Sequence, residues 1–171
     1  GARRRDLILG WLRQSGLPMT GQLLATKTNV SRQVIVQDIS LLKAAGEPII
    51  ATSRGYLYVK ENFAGRRIRQ VIAVCHKPEE TAAELYTLVD YGVTIVNVIV
   101  EHPVYGDLTG SLMLQNRFDV DEFLQEMERT SASLLSRLTD GVHLHTIEAD
   151  SQEQLDKAVE ALKRIGILLE N

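Results

Sequence analysis

The sequence predicts an α+β chain in two parts: three helices closed by a β-hairpin, then a mainly antiparallel sheet with helices on one face. Three observations predict it. Residues 1–60 carry about +6 and residues 61–171 about −9 within a net charge of −3, so two unlike surfaces share one chain. The first part shows apolar residues at helical spacing interrupted by short turns, ending in two β-rich runs. The second reads strand, helix, strand, strand, helix, strand, helix.

The length of 171 residues and 44% hydrophobic content provide a core for each of two small domains, placed at 1–60 and 66–171. The polar, Gly-containing run Lys60-Glu61-Asn62-Phe63-Ala64-Gly65-Arg66-Arg67 between them reads as a linker. A single cysteine, Cys75, excludes an internal disulfide framework. No apolar run reaches the roughly 18 residues of a membrane span. A reducing cytoplasm is the expected setting, with no membrane partner.

The first helix covers residues 3–14 with Leu7, Ile8, Trp11 and Leu12 at helical spacing, and Gly16 and Pro18 stop it. Thr20 caps a short second helix carrying Leu23, Leu24 and Ala25. Thr28-Asn29-Val30 makes a tight turn, and Ser31 caps a third helix running to Gly46. At about 100° per residue, Arg32, Gln33, Val36, Gln37, Ser40 and Lys43 share one arc. Val34, Ile35, Ile39, Leu41, Leu42 and Ala45 share the other. The polar arc holds residue types that read a major groove: Arg for guanine, Gln for adenine, and Val for a thymine methyl. Asp38 falls on the core side, so it needs a basic partner from a neighbouring helix. Ile49–Thr52 and Tyr56–Val59 flank Ser53-Arg54-Gly55 as a hairpin, whose tip residue Arg54 is placed to reach phosphate or a minor groove. Helix-turn-helix followed by such a wing predicts double-stranded DNA as the partner. A protein-binding module with a merely solvated arc is the blander alternative.

In the second part Arg69–Cys75 is a strand, and Pro78 opens a helix to Tyr91 with Ala82, Leu85, Leu88 and Val89 inward. Val93–Val100 and Asp107–Leu114 are strands joined by the loop Glu101-His102-Pro103-Val104-Tyr105-Gly106. Asp119-Val120-Asp121-Glu122 resembles a capping box, and the helix it opens is expected to run to Gly141, burying Val120, Phe123, Leu124, Met127, Leu134, Leu135 and Leu138. Val142–Ala149 is the fourth strand, and Ser151 caps a last helix with Leu155, Ala158, Val159, Leu162 and Ile165 inward. This order fits both an HPr-like and a ferredoxin-like arrangement. In either, the first strand lies antiparallel beside the fourth.

That pairing brings the end of strand one to the start of strand four. His76 ends the first, and His143 and His145, two residues apart, open the second with both imidazoles on one face. Glu84, on the helix after strand one, is the nearest fourth ligand. Three imidazoles and a carboxylate suit a divalent transition metal, whether zinc, nickel, iron or cobalt, rather than magnesium or calcium. Cys75 alternates to the other strand face and reads as core. His102 is either a turn residue or an effector contact, and Tyr105 beside it is a second effector candidate.

Two stretches carry family resemblances. Val30-Ser31-Arg32-Gln33-Val34, Asp38-Ile39, Leu42, Gly46, Pro48-Ile49 and Gly55-Tyr56 resemble the winged helix of biotin-repressor-type regulators. Val74-Cys75-His76, Glu84, Glu101-His102-Pro103-Val104-Tyr105-Gly106 and Gly141-Val142-His143-Leu144-His145 resemble the three-histidine domain of niacin-responsive repressors of NAD biosynthesis and niacin uptake. The resemblance implies a homodimer, a metal at His76, Glu84, His143 and His145, and nicotinate as co-repressor. A dimeric reader further predicts a pseudo-palindromic operator. A repressor that senses the metal itself, a phosphocarrier-like partner using a histidine, and a metalloenzyme using Glu84 or Glu101 as general base are the alternatives; no nucleophile motif or phosphate loop supports the last.

Overall fold

The computed structural model describes residues 1–59, 67–130 and 133–170, arranged as two compact units divided between Gly65 and Arg66. Except for Arg67, the proposed linker lies outside the described residues. Among the described residues no helix is long and apolar enough to cross a membrane.

In the first unit α1 (Ala2–Gln14), α2 (Gly21–Thr28) and α3 (Arg32–Ala44) precede β1 (Ile49–Thr52) and β2 (Gly55–Tyr58). Both expected caps form: Thr20 accepts from Leu23 N, and Ser31 from Val34 N. Asn29, in the left-handed region at φ 56°, makes the turn between α2 and α3. Ile8, Leu12, Leu24, Ile35, Ile39, Leu42 and Ile49 form the core. This core stripe on α3 is narrow, so Leu41, expected inward, is 53% exposed, and Leu7 and Leu23 also reach solvent. The wing gains a short pairing with the chain before α2: Met19 N donates to Tyr56 O and Tyr56 N to Met19 O, at 2.9 and 2.7 Å. That approach explains Gly55, where a Cβ would stand 2.6 Å from the Met19 carbonyl.

The expected partner of Asp38 is on α1. Asp38 is 2% exposed and takes Arg4 Nε at 2.5 Å and Arg5 Nη1 at 3.5 Å. Burial pushes its carboxyl up, but the hydrogen bonds and charges of Arg4 and Arg5 outweigh this and hold it below the usual range.

The second unit comprises β3 (Ile68–Cys75), α4 (Thr81–Asp90), β4 (Thr94–His102), β5 (Gly106–Leu114), α5 (Arg117–Arg129), β6 (Val142–Ala149) and α6 (Gln152–Arg164), with 3₁₀ turns at Pro78–Glu80 and Leu135–Thr139. The sheet order is β3-β6-β4-β5, all antiparallel. This is the HPr-like alternative: β3 is an outer strand beside β6, its free edge meeting only a short bridge from Val74 to Leu168 among the described residues, whereas the ferredoxin-like order would set it between two strands. Leu85 and Leu88 of α4, Val120 of α5, and Leu155 and Leu162 of α6 pack with Ile72, Val74, Ile95, Leu114 and Ile147 into one core. The other sheet face shows Val71, Val142 and Leu144 to solvent. Cys75, paired with Val142 on that face, is half-buried rather than core.

Two helices differ from expectation. Asn116, not Asp119, caps α5; its side chain accepts from Asp119 N while Asp119 accepts from Gln115 N. That helix ends at Arg129 rather than near Gly141, because Thr130, Ser131 and Ser133 are poor helix formers and no apolar residue continues the stripe beyond Met127 until Leu134. Leu138 is consequently exposed, as is Ile165 just beyond α6.

Replacing Asp38 by Ala is expected to destabilise the first unit by about 1–3 kcal/mol, less than for a fully buried pair because both arginines can be rehydrated. The depressed carboxyl means that this contribution is present above the unfolded pKa of about 3.9 and is lost as pH falls through the folded value. Denaturant melts of wild type and D38A should therefore converge in acid; an equal gap at all pH values would contradict the ion pair.

Candidate functional site

In the second unit, β3, β6 and the first turn of α4 bring His76, His143, His145 and Glu84 together. All four are buried, Glu84 at 1% exposure. Glu84 Oε2 lies 2.7 Å from His76 Nε2 and 3.0 Å from His143 Nε2, while Oε1 lies 2.8 Å from His145 Nε2. The imidazoles of His76 and His143, and of His143 and His145, stand edge to face with centroids 4.8 Å apart. Period-two alternation along β6 places His143 and His145 on the helix-covered face, as expected. The pairings Val74↔His143 and Cys75↔Val142 bring His76 alongside.

The far nitrogen of each ring is fixed by the backbone. His76 Nδ1 donates to Lys77 O at 2.8 Å, His143 Nδ1 to Gly141 O at 2.9 Å, and His145 Nδ1 to Asn97 O at 2.7 Å. A carbonyl only accepts, so every Nδ1 carries the proton. In neutral rings, three Nε2 lone pairs then face a carboxylate, which is an acceptor as well. Only a cation reconciles five such acceptors, either protons on the rings or a metal ion. His76 Nε2 shows the mismatch directly: although near Glu84 it is misaligned, and it is a buried polar atom without a hydrogen-bond partner. His76, Glu84 and His143 each offer a ligand atom within 4.8 Å of the others, a group that could hold a metal ion. The donor set fits a transition metal.

Close packing makes this geometry. Gly141, at φ 94°, sits where a Cβ would be 2.3 Å from His76 O, so glycine is required for β6 to begin beside the end of β3. Burial pushes the Glu84 carboxyl up, yet the charge of His145, hydrogen bonds from His143 and His145 and the close approach of His76 hold it well below the usual carboxylate range. Burial lowers His76, but the Glu84 carboxylate 2.7 Å from its Nε2 more than compensates, so its pKa is raised.

A cavity of about 200 Å³ opens beside the cluster. Its apolar wall includes Leu85, Val98, Leu112, Phe123 and Met127; Thr81, Ser133 and Ser136 add hydroxyl-bearing side chains. Neither His102 nor Tyr105 lines it. They sit at the tip of the β4–β5 hairpin, where His102 Nδ1 accepts from Val104 N and Tyr105 N at 3.0 and 3.1 Å. His102, the last residue of β4, thus holds the turn that follows it, and Tyr105 is exposed beside it. The cavity and Asn97 were missed from the sequence. For Asn97 a signal existed, since it is the one amide in the apolar run Val93–Val100.

In the first unit Arg32, Gln33, Gln37, Ser40 and Lys43 are exposed along α3, and Val36 is half-buried at the edge of the arc. Ser40 Oγ donates to Val36 O at 2.8 Å. Arg54 stands in the β1–β2 turn, half-buried rather than extended into solvent.

Residues 4–57 match an HTH domain and residues 69–171 a 3H domain, which makes this a helix-turn-helix protein with a 3H domain attached. The chain is 51% identical over 174 residues to the transcription repressor NadR of Bacillus subtilis, covering all of this chain and 96% of the relative. It is 43% identical over 169 residues to the probable transcription repressor NiaR of Thermotoga maritima, covering 98% and 94%. An uncharacterized protein of Methanothermus fervidus is 29% identical over 147 residues, 82% of this chain and 23% of that protein. The chain belongs to this family of 3H-domain transcription repressors.

In protein kept in chelator, the raised pKa of His76 contributes stability that is full below the unfolded imidazole value of about 6.5 and is lost as pH rises through the folded value. The melting temperature of the second unit should fall over that interval. A temperature constant or rising across it would show that the cluster is not held by protons.

Proposed function

We propose that this chain is a homodimeric repressor that binds double-stranded DNA through α3 and the wing and senses nicotinate at a metal held by His76, Glu84, His143 and His145. The observation that carries the reading is the convergence of three Nε2 atoms and one buried carboxylate beside a small, largely apolar cavity. The family's repressors and the resemblance of the histidine-bearing stretches to niacin-responsive regulators support the rest. Nickel or zinc suits the donor set. When bound, the metal supplies a fixed positive charge, which a small carboxylate needs within a part of the chain carrying about −9.

The protein's own groups do the remaining work. Lys77, Gly141 and Asn97 carbonyls orient the imidazoles, and the apolar wall excludes water and strengthens charge interactions in the cavity. On α3, Arg32, Gln33, Val36, Gln37 and Ser40 face base edges, with Lys43 and Arg54 reserved for phosphate or the minor groove. One winged helix offers too little interface for selective binding, so a two-fold dimer reads a pseudo-palindromic operator. Ligand binding alters DNA affinity to the extent that nicotinate prefers one dimer state. Such a repressor acts in the cytoplasm. The reading gives His102 and Tyr105 no effector contact within the subunit, since neither reaches the cavity wall.

On an operator selected from random-sequence DNA, R32A and Q33A should each cost about 1–3 kcal/mol while nonspecific binding persists. R54A should weaken binding to all sequences and flatten the salt dependence. Wild-type operator affinity in both R32A and Q33A would remove α3 as the reading helix.

Chelation, or replacement of both His143 and His145 by Ala, should abolish the nicotinate effect on operator affinity while circular dichroism shows the fold retained. Calorimetry provides the check: equal nicotinate affinity with and without metal would refute metal-dependent co-repression. A full change in operator affinity on adding metal alone would instead make the metal the signal.

A further inference from the structure

Three buried side-chain polar atoms lack a hydrogen-bond partner among the described residues: Arg67 Nε, His76 Nε2 and Thr81 Oγ1. The last two belong to residues lining the same cavity. His76 is accounted for by the cluster, whereas Thr81 is not. At 7% exposure its hydroxyl has left water without gaining a partner, a cost that native structures rarely bear unless the group has a use. It stands in the first turn of α4, three residues before Glu84 and hence on the same helix face. The cavity is thus lined by the histidine cluster, Thr81 and two serines as well as by the apolar side chains Leu85, Val98, Leu112, Phe123 and Met127. Its volume of about 200 Å³ is below the roughly 300–1,000 Å³ typical of drug-sized sites, which suits one ring rather than a dinucleotide.

We infer that Thr81 is the specificity residue of this site, its hydroxyl donating to the carboxylate of a monocyclic aromatic acid whose ring lies against the apolar wall. This rests on the effector reading above and assigns it a protein contact. A hydroxyl bonded to an anion inside a dry cavity discriminates sharply, because a ligand without the acceptor leaves the hydroxyl unpaired again. Valine matches threonine in shape and lacks the hydroxyl, whereas serine keeps it.

The test is nicotinate calorimetry on the metal-loaded full-length protein, comparing wild type, Thr81→Val and Thr81→Ser, with metal content and melting temperature measured for each. Thr81→Val should bind nicotinate at least about tenfold more weakly, as expected for losing a hydrogen bond to a charged group. Thr81→Ser should remain close to wild type, and metal content and melting temperature should not fall in either variant. Wild-type affinity in Thr81→Val overturns the inference and leaves the effector reading standing. Loss of metal from Thr81→Val also overturns it, by making the hydroxyl a support of the metal cluster. Failure of nicotinate to bind the wild type defeats the effector reading itself, and this assignment with it.

Discussion

The second unit is organised around a carboxylate that should not be buried. Removing Glu84 from water costs several kcal/mol unless opposite charge and hydrogen bonds compensate, and the compensation comes from three imidazoles drawn from two strands. Each imidazole is in turn tethered through Nδ1 to a carbonyl at a different point of the chain: Lys77 after β3, Asn97 within β4, and Gly141 before β6. One side chain of α4 is thereby linked to three strands of the sheet. A helix that could otherwise slide on an apolar surface is given a fixed position, because a shift of even an ångström would leave buried nitrogens or carboxylate oxygens unmatched.

Topology makes those tethers possible. In the order β3-β6-β4-β5, β6 has β3 on one side and β4 on the other. His143 can therefore meet His76 across one edge while His145 reaches the Asn97 carbonyl across the other. In the ferredoxin-like order, the last strand would have the first as its sole strand neighbour, and no carbonyl of the second strand would be within reach of His145. The register shift between β4 and β6 from Ile95 to Ile99 falls at Asn97, whose side-chain oxygen accepts from Thr146 N in place of a regular ladder partner. The irregularity thus aims a carbonyl at the imidazole and covers a strand amide with the same residue.

Much of this was legible in the sequence because it is local. The spacing of His143 and His145 fixes a common face in any strand, Ser31 and Thr20 cap the helices they precede, and the polar arc of α3 follows from its period. Asp38 declared its need for a partner by being charged on an apolar stripe, although only packing could show that Arg4 and Arg5 supply it. What was not legible depends on distant pairings. Asn97 appeared only as a polar interruption, and the cavity has no linear signature, since its wall is drawn from α4, β4, β5, α5 and the residues before β6. The end of α5 has no clear mark in the sequence because Leu134 and Leu135 continue an apolar pattern across a break in the helix; they still line the cavity, but from a different backbone conformation. Leu41 and Ile165 lie on the apolar side by periodicity yet are exposed, because the period of a helix does not say how wide a stripe the neighbouring elements cover.

On the proposed reading, the two units solve recognition in opposite ways. On α3 the groups available to a partner are exposed and mostly uncharged, with Arg32 and Lys43 near the ends of the helix, so their selectivity would come from fitting base edges while still in contact with water. In the 3H unit the groups are buried, and their orientation is set before any ligand arrives, so little ordering remains to oppose binding. On that reading, a small effector gives few contacts, and a preorganised site makes each of them count. Such a site also ties its ligand to the positions of α4 and three strands at once. On the proposed reading, nicotinate would act on elements that the Glu84 cluster already couples, so differential affinity for two arrangements of that cluster is the quantity that would set how strongly DNA binding responds.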